Sequence, residues 1–284
     1  LWHAPDSDRA LSELGRADIN LVYRTTVTPE LLDRMARFNI KAVAGIRHAL
    51  PADPAGRLAW EAAARQRTEA TRNHPGLLGY FLIDEPLWCG TPLGPLLEVY
   101  RFHRQLDPYR PIWSNEAPRG TVADCARYAA ACDITGVDIY PVPEGGSHSD
   151  LEDKGLTSVG RYVDKMRESV EDRKPVWMAL QGFAWKHLSD RHAAGAIYPT
   201  WEQSRFMVYN AILHGAAGIT WWGTHYIYEP EFWPVLLRVA SELRDLSAVL
   251  VEPAVAPPVV RSDAPGLKIL HKVHGGESYL LAAN

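Results

Sequence analysis

Apolar residues in this chain follow two rhythms. Short, nearly continuous runs rich in β-branched and aromatic residues recur along it: "INLVYR" from Ile19, "KAVAGIR" from Lys41, "LLGYFLID" from Leu77, "PIWSN" from Pro111, "ITGVDIY" from Ile134, "PVWMALQ" from Pro175 and "GITWW" from Gly218. Runs of this kind predict strands covered on both faces, as in a parallel sheet. Between them the apolar positions take helical spacing, near 6–16, 58–73, 94–107, 121–131, 155–170 and 231–248. Two further helices have explicit starts. "TPELLDRMARF" carries Thr28 as N-cap and Pro29 at the first helical position, and "TWEQSRFMVYNAILHG" sets Thr200 three residues before Gln203, a capping box, and stops at Gly215.

The order is eight helices and seven strands, beginning with a helix. Such a repeat closes as a (β/α)8 TIM barrel if one strand precedes the first helix. Leu1 and Trp2 read as the tail of that strand, which is expected to be clipped or very short. The rival is an open doubly wound sheet, but no glycine-rich phosphate loop follows any strand. The barrel is assigned to residues 1–250. From 251 the chain turns Pro-rich and then forms two short strands around Gly275–Gly276, so 251–284 is expected to begin a small β-rich C-terminal domain, truncated at Asn284.

A chain of 284 residues, 46% hydrophobic, can bury one large core. The formal charge of −4, without a basic stripe, argues against a nucleic-acid partner, and no apolar stretch approaches the length of a membrane span. Cys89, Cys125 and Cys132 have no metal-ligand spacing and form no disulfide framework; Cys125 and Cys132 read as small core residues. The amino terminus lacks the pattern of a signal peptide, though one could have preceded Leu1. A secreted or periplasmic location is favoured over a cytoplasmic one.

In a barrel, chemistry sits at the carboxyl ends of the strands. The most unusual end is in "GLLGYFLIDEPLW", where a buried run meets two adjacent acids, Asp84 and Glu85, each making the other costlier to ionise, with Trp88 just beyond. The other ends supply Arg24; Arg47 and His48; Trp113, Asn115 and Glu116; Asp138 and Tyr140; Gln181, Phe183 and Trp185; and Trp221, Trp222, His225 and Tyr226. Carboxylates beside indoles suit sugars. Aromatic faces stack on the C–H faces of pyranose rings, while acids accept hydroxyl hydrogen bonds and protonate a leaving oxygen.

The "DEP" at the end of the fourth strand, counting Leu1–Trp2 as the first, and the tryptophan at the eighth make this sequence resemble the clan A glycoside hydrolases. The resemblance spans roughly Arg24 to Tyr226 at the level of element order. It implies a retaining glycosidase barrel with Glu85 as acid/base and Asp84 where the clan has an Asn that contacts the sugar 2-hydroxyl. It breaks at the seventh strand, where the clan's nucleophilic Glu is replaced by Gln181. An amide cannot serve there.

Three repairs remain open. Asp138, Glu116 or Glu229 supplies the second carboxylate; or the 2-acetamido group of a substrate attacks, oriented by Asp84 with Glu85 as acid, as in the substrate-assisted hexosaminidases; or the barrel binds carbohydrate without cleaving it. The expected activity is glycoside hydrolysis of a plant, algal or bacterial-envelope polysaccharide or oligosaccharide, with no cofactor and no metal. Catalysis is assigned to Glu85, Asp84, Asp138 and Glu116. Substrate contacts are assigned to Arg24, His48, Trp88, Trp113, Asn115, Tyr140, Gln181, Trp185, Trp221, Trp222 and His225.

Each has a plainer reading. Glu85–Pro86 can form a turn and cap a helix, Asp138 can bond loop backbone, Glu116 can pair with Arg24 or Arg47, and Gln181 can be a pocket wall. The loop "RHAAGAIYPTWEQ" can cover a substrate, with Tyr198 and Trp201 touching it or merely stapling the helix. A metal-dependent hydrolase using His3, His48 and Asp138 is a further rival, without supporting ligand spacing.

Overall fold

The computed structural model describes residues 1–2, 6–145, 149–188, 197–256, 260, 263–264 and 266–283. All seven expected strands form, as β1 (Leu21–Arg24), β2 (Lys41–Gly45), β3 (Leu77–Asp84), β4 (Ile112–Glu116), β5 (Ile134–Asp138), β6 (Val176–Gln181) and β7 (Gly218–Trp222). They are parallel and adjacent in sequence order. Leu1 and Trp2 lie between the two outer strands. Tyr23 N–H donates to Leu1 O at 2.8 Å and Trp2 N–H to Trp221 O at 3.2 Å, so this dipeptide bonds both β1 and β7 where a barrel's first strand would run. The architecture is the expected α/β barrel.

The helices are α1 (Asp8–Arg16), α2 (Pro29–Ala36), α3 (Pro54–Thr71), α4 (Leu93–Leu106), α5 (Val122–Ala129), α6 (Ser158–Ser169), α7 (Trp201–Leu213), α8 (Phe232–Asp245) and the short α9 (Ser247–Leu250). Thr28 caps α2, and the Thr200–Gln203 capping box opens α7 with both reciprocal hydrogen bonds. Helix α3 starts four residues before the hydrophobic spacing predicts. Asp53 accepts from Gly56 N–H, and Pro54 needs no partner at the first position, so cap chemistry sets the start.

Strand alternation divides the core into two layers. Outward residues such as Val22, Ala42, Leu82, Ile112, Val137, Met178, Leu180 and Trp221 pack with the helices. Inward residues form the barrel interior: Trp2, Tyr23, Val43, Phe81, Trp113, Ile134, Trp177 and Trp222. Edge-to-face contacts fill it, with ring centroids at 5.0 Å for Trp2–Phe81 and 5.3 Å for Trp2–Trp113.

After α9, β8 (Lys268–His274) and β9 (Glu277–Ala283) pair as an antiparallel hairpin. Gly275 and Gly276 stand at φ 59° and 84°, the left-handed pair that a tight two-residue hairpin turn requires. Leu281 packs on Tyr209 and Leu213 of α7, fastening the hairpin to the barrel. No helix among the described residues is long and apolar enough to cross a membrane.

Candidate active site

At the carboxyl end of the barrel, alternation decides which side chains of β4, β5 and β7 enter the mouth, and on β3 a register shift between Phe81 and Asp84 brings Asp84 to Asn115. Asp84 and Asp138 end β3 and β5, and Asn115, the penultimate residue of β4, brings their side chains together. Asn115 Nδ2 donates to Asp84 Oδ1 at 3.0 Å and to Asp138 Oδ1 at 2.9 Å. Neighbouring Gly136 makes this possible, because a Cβ there would sit 2.8 Å from Asn115 Oδ1 and 2.4 Å from Trp113 Nε1. Glu85 follows Asp84 in the left-handed region, at φ 48°, a conformation that costs an L-residue about 1 kcal/mol or more. Its N–H donates to Asn115 O at 2.7 Å and its carbonyl accepts from Cys89 N–H, so the backbone twist is held on both sides.

These acids do not behave as surface carboxylates. Burial, with the charge of Glu85, pushes Asp84 up to about 7 despite the hydrogen bond from Asn115. Asp138, only 2% exposed, is raised well above its usual range by burial and by the charges of Glu85 and Asp84. Tyr140 lies against Asp138, and burial and that carboxylate hold its hydroxyl protonated. At neutral pH the cluster therefore carries both protons and negative charge.

Beside the acids stands an aromatic wall. Tyr140 stacks on Trp222 at 5.5 Å with planes 24° apart, Phe183 and Trp185 pack edge-on to Tyr140, and Trp185 Nε1 donates to Tyr140 O at 3.3 Å. Trp185 and Trp222 are half-buried. His225, exposed, closes the row against Trp222 and Tyr226. Trp88 is 51% exposed on the turn after Glu85, and the guanidinium of Arg119 lies 4.0 Å above its ring.

Several expected site residues stand elsewhere. Trp113 is interior packing beneath the mouth, against Phe81 and Trp177. Trp221 is adjacent to Trp222 and so faces the opposite way, into the helix layer. Glu116 is adjacent to Asn115 and likewise turns to the helix side of the wall. It is 3% exposed, accepts Leu87 N–H at 3.3 Å, and is pushed by burial and by Glu85 and Asp84 up to about 8. Gln181 is fully buried and clamps backbone: Nε2 donates to Val142 O at 2.7 Å and Phe183 O at 3.1 Å, while Oε1 accepts from Val142 N–H at 3.0 Å. Both amide protons are thus engaged by backbone carbonyls. Arg24 pairs with Asp6 at 2.5 Å, His48 is exposed after β2, and Glu229 pairs with Lys186.

His3 and most of the loop before Tyr198 lie outside the described residues. Tyr198 OH donates to Tyr226 O at 3.0 Å and its ring stacks on Phe232, so it braces the loop after β7. No group of three or more His, Cys, Asp or Glu among the described residues is placed to hold a metal. Two residues of the mouth escape the sequence reading. Tyr23 is one, inward on β1 and raised by burial and, after it, by the charge of Asp84; Arg119 is the other. Inward alternation along β1 points to Tyr23, whereas no pattern in the sequence marks Arg119. A separate groove of about 430 Å3 between α7, α8, α9 and β9 is lined by Arg205, Tyr209 and Glu242, whose polar groups pair with one another.

No protein-family model and no curated protein sequence matches this chain. Solved structures do. A β-galactosidase of the Antarctic haloarchaeon Halorubrum lacusprofundi superposes with a TM-score of 0.64 at 14% identity, over 88% of this chain and 58% of that one. A β-galactosidase of the psychrophilic Marinomonas ef1 gives 0.62 at 15%, over 87% and 59%. A family 5 mannosidase from Rhizomucor miehei gives 0.52 at 13%, over 76% and 74%. The fold is shared with these glycoside hydrolases. The chain spans a little under three fifths of the length of either β-galactosidase.

Proposed function

We propose that this chain hydrolyses glycosidic bonds of an oligosaccharide or polysaccharide, with Glu85 as general acid and Asp138 as the second carboxylate. The observation that carries this reading is one barrel mouth holding a cluster of protonatable acids beside a half-open aromatic wall. Glycoside cleavage needs a carboxyl that gives a proton to the leaving oxygen and a second group that activates water or attacks carbon. The left-handed backbone at Glu85 turns the chain immediately after Asp84, where β3 meets the mouth. Asp84, shared with Asp138 through Asn115, keeps a proton close to Glu85. The wall of Tyr140, Trp185 and Trp222 supplies stacking surface for a pyranose.

The clan's double displacement does not suit Gln181, because its amide is committed to backbone. An inverting path, with Asp138 removing a proton from water, fits the chain better. The first experiment is to screen nitrophenyl glycosides, 2-acetamido sugars among them, for turnover lost in Glu85→Gln, then to follow the first-formed anomer by NMR. Inversion supports Asp138 as base. Retention confined to 2-acetamido substrates makes Asp84 the orienter of a substrate-assisted attack. Sugar binding without turnover overturns the hydrolytic reading.

A further inference from the structure

The turn after Glu85 and the turn after Glu116 are clasped together at three points. Glu116 accepts Leu87 N–H at 3.3 Å. Gly120, at φ 82°, lets Leu87 approach so closely that a Cβ would meet Leu87 Cδ2 at 2.4 Å. The guanidinium carbon of Arg119 then stands 4.0 Å over the Trp88 ring. The Arg119 turn is anchored from below as well: Arg119 N–H donates to Ala117 O at 2.7 Å, Asp150 N–H to Pro118 O at 3.2 Å, and Tyr162 OH to Pro118 O. The Arg119–Trp88 pair therefore stands at a fixed place on the rim, three residues beyond Glu85.

Its chemistry is unusual for a rim crowded with acids. Arg119 forms no ion pair among the described residues, and its Nε is buried without a hydrogen-bond partner. A buried donor on a charged group that lacks an acceptor is costly, and is relieved by whatever ligand brings one. Contact with the indole restrains the guanidinium, whose fork of N–H donors matches the two oxygens of a carboxylate. Trp88, 51% exposed, presents apolar surface to a sugar ring beside the guanidinium. The neighbouring acids oppose an anion less than their number implies, since burial keeps Asp84 and Glu116 partly protonated near neutral pH.

We propose that Arg119 and Trp88 form a rim subsite for a uronic-acid residue, so that the substrate is an acidic oligosaccharide. This rests on the glycosidase reading above and adds the charge of the sugar next to the cleaved bond. Arg119 supplies the bidentate contact and Trp88 the stacking face.

The test compares tetramers of galacturonate, mannuronate and glucuronate with their own methyl esters, which replace each negative charge by a small neutral ester. Binding is read by tryptophan fluorescence in the Glu85→Gln background, where turnover is suppressed. At least one acid is expected to bind about tenfold or more tightly than its ester. Arg119→Met should reduce that ratio to about one without weakening the ester, Arg119→Lys should restore only part of it, and Trp88→Ala should weaken acid and ester alike. A ratio near one in the parent, or one unchanged by Arg119→Met, overturns the subsite. If neutral nitrophenyl glycosides are still cleaved in a Glu85-dependent way, the glycosidase reading survives that result; if they are not, both fall.

Discussion

The side-chain nitrogen of Asn115 lies 2.9 Å from Asp138 Oδ1, and its other proton reaches Asp84 Oδ1 at 3.0 Å. One amide on β4 thus holds two acids, one from each flanking strand, and favours their ionised forms against the desolvation that raises them. Asn115→Leu removes both hydrogen bonds. The acid limb of the pH–rate profile, which lies above the ordinary carboxylate range if Asp138 is the proposed base, should move further alkaline. Urea denaturation at neutral pH should show a loss of about 2 kcal/mol.

Glu116 gives a prediction about stability. A carboxyl whose pKa is raised by folding binds more protons folded than unfolded, so stability falls as pH climbs from the unfolded value to the folded one. For Glu116 that window runs from 4.5 to about 8. Glu116→Gln keeps an oxygen for Leu87 N–H and carries no charge. Its thermal midpoint should fall less than the wild type's between about pH 5 and pH 8. Equal slopes for the two proteins would remove Glu116 from the account.

Restoring the acid that the clan carries at Gln181 should fail. Gln181→Glu would turn a carboxylate toward the carbonyls of Val142 and Phe183, which now accept its amide protons. We expect a loss of about 2–4 kcal/mol in chemical denaturation at neutral pH and no gain in turnover of nitrophenyl glycosides.

The two adjacent tryptophans of β7 should separate cleanly. Trp221 is 4% exposed in the helix layer, and Trp221→Ala should cost about 3–5 kcal/mol of stability. Trp222, half-buried at the mouth on Tyr140, should respond mainly in sugar affinity, with Trp222→Ala raising KM several-fold. Thermal melts and steady-state kinetics on both variants distinguish the roles.

Gly136→Ala places a methyl group 2.4 Å from Trp113 Nε1 and 2.8 Å from Asn115 Oδ1. The cost should be about 1–3 kcal/mol, read in urea denaturation. Activity should fall with it, because the displaced Asn115 is the bridge between Asp84 and Asp138.

Element order was legible from the sequence because each run of apolar residues long enough to be a buried strand is set off by turn and cap residues. The Thr200–Gln203 box, the Thr28 cap and the Gly275–Gly276 turn are local chemistry, complete within a few residues, and each forms as the sequence predicts. So does the placement of Asp84, Asn115, Asp138, Tyr140 and Trp222 at strand ends on one rim. What the sequence reading overlooked was alternation: adjacent residues of one strand cannot both enter the mouth, which separates Asn115 from Glu116 and Trp222 from Trp221. Only the tertiary structure decides the rest. The left-handed turn at Glu85, the amide shared by two acids, the backbone clamp made by Gln181 and the guanidinium laid on Trp88 all join residues from different strands or loops. Their geometry follows from the closure of the barrel, which brings distant strand ends within hydrogen-bonding distance and withdraws their charges from water.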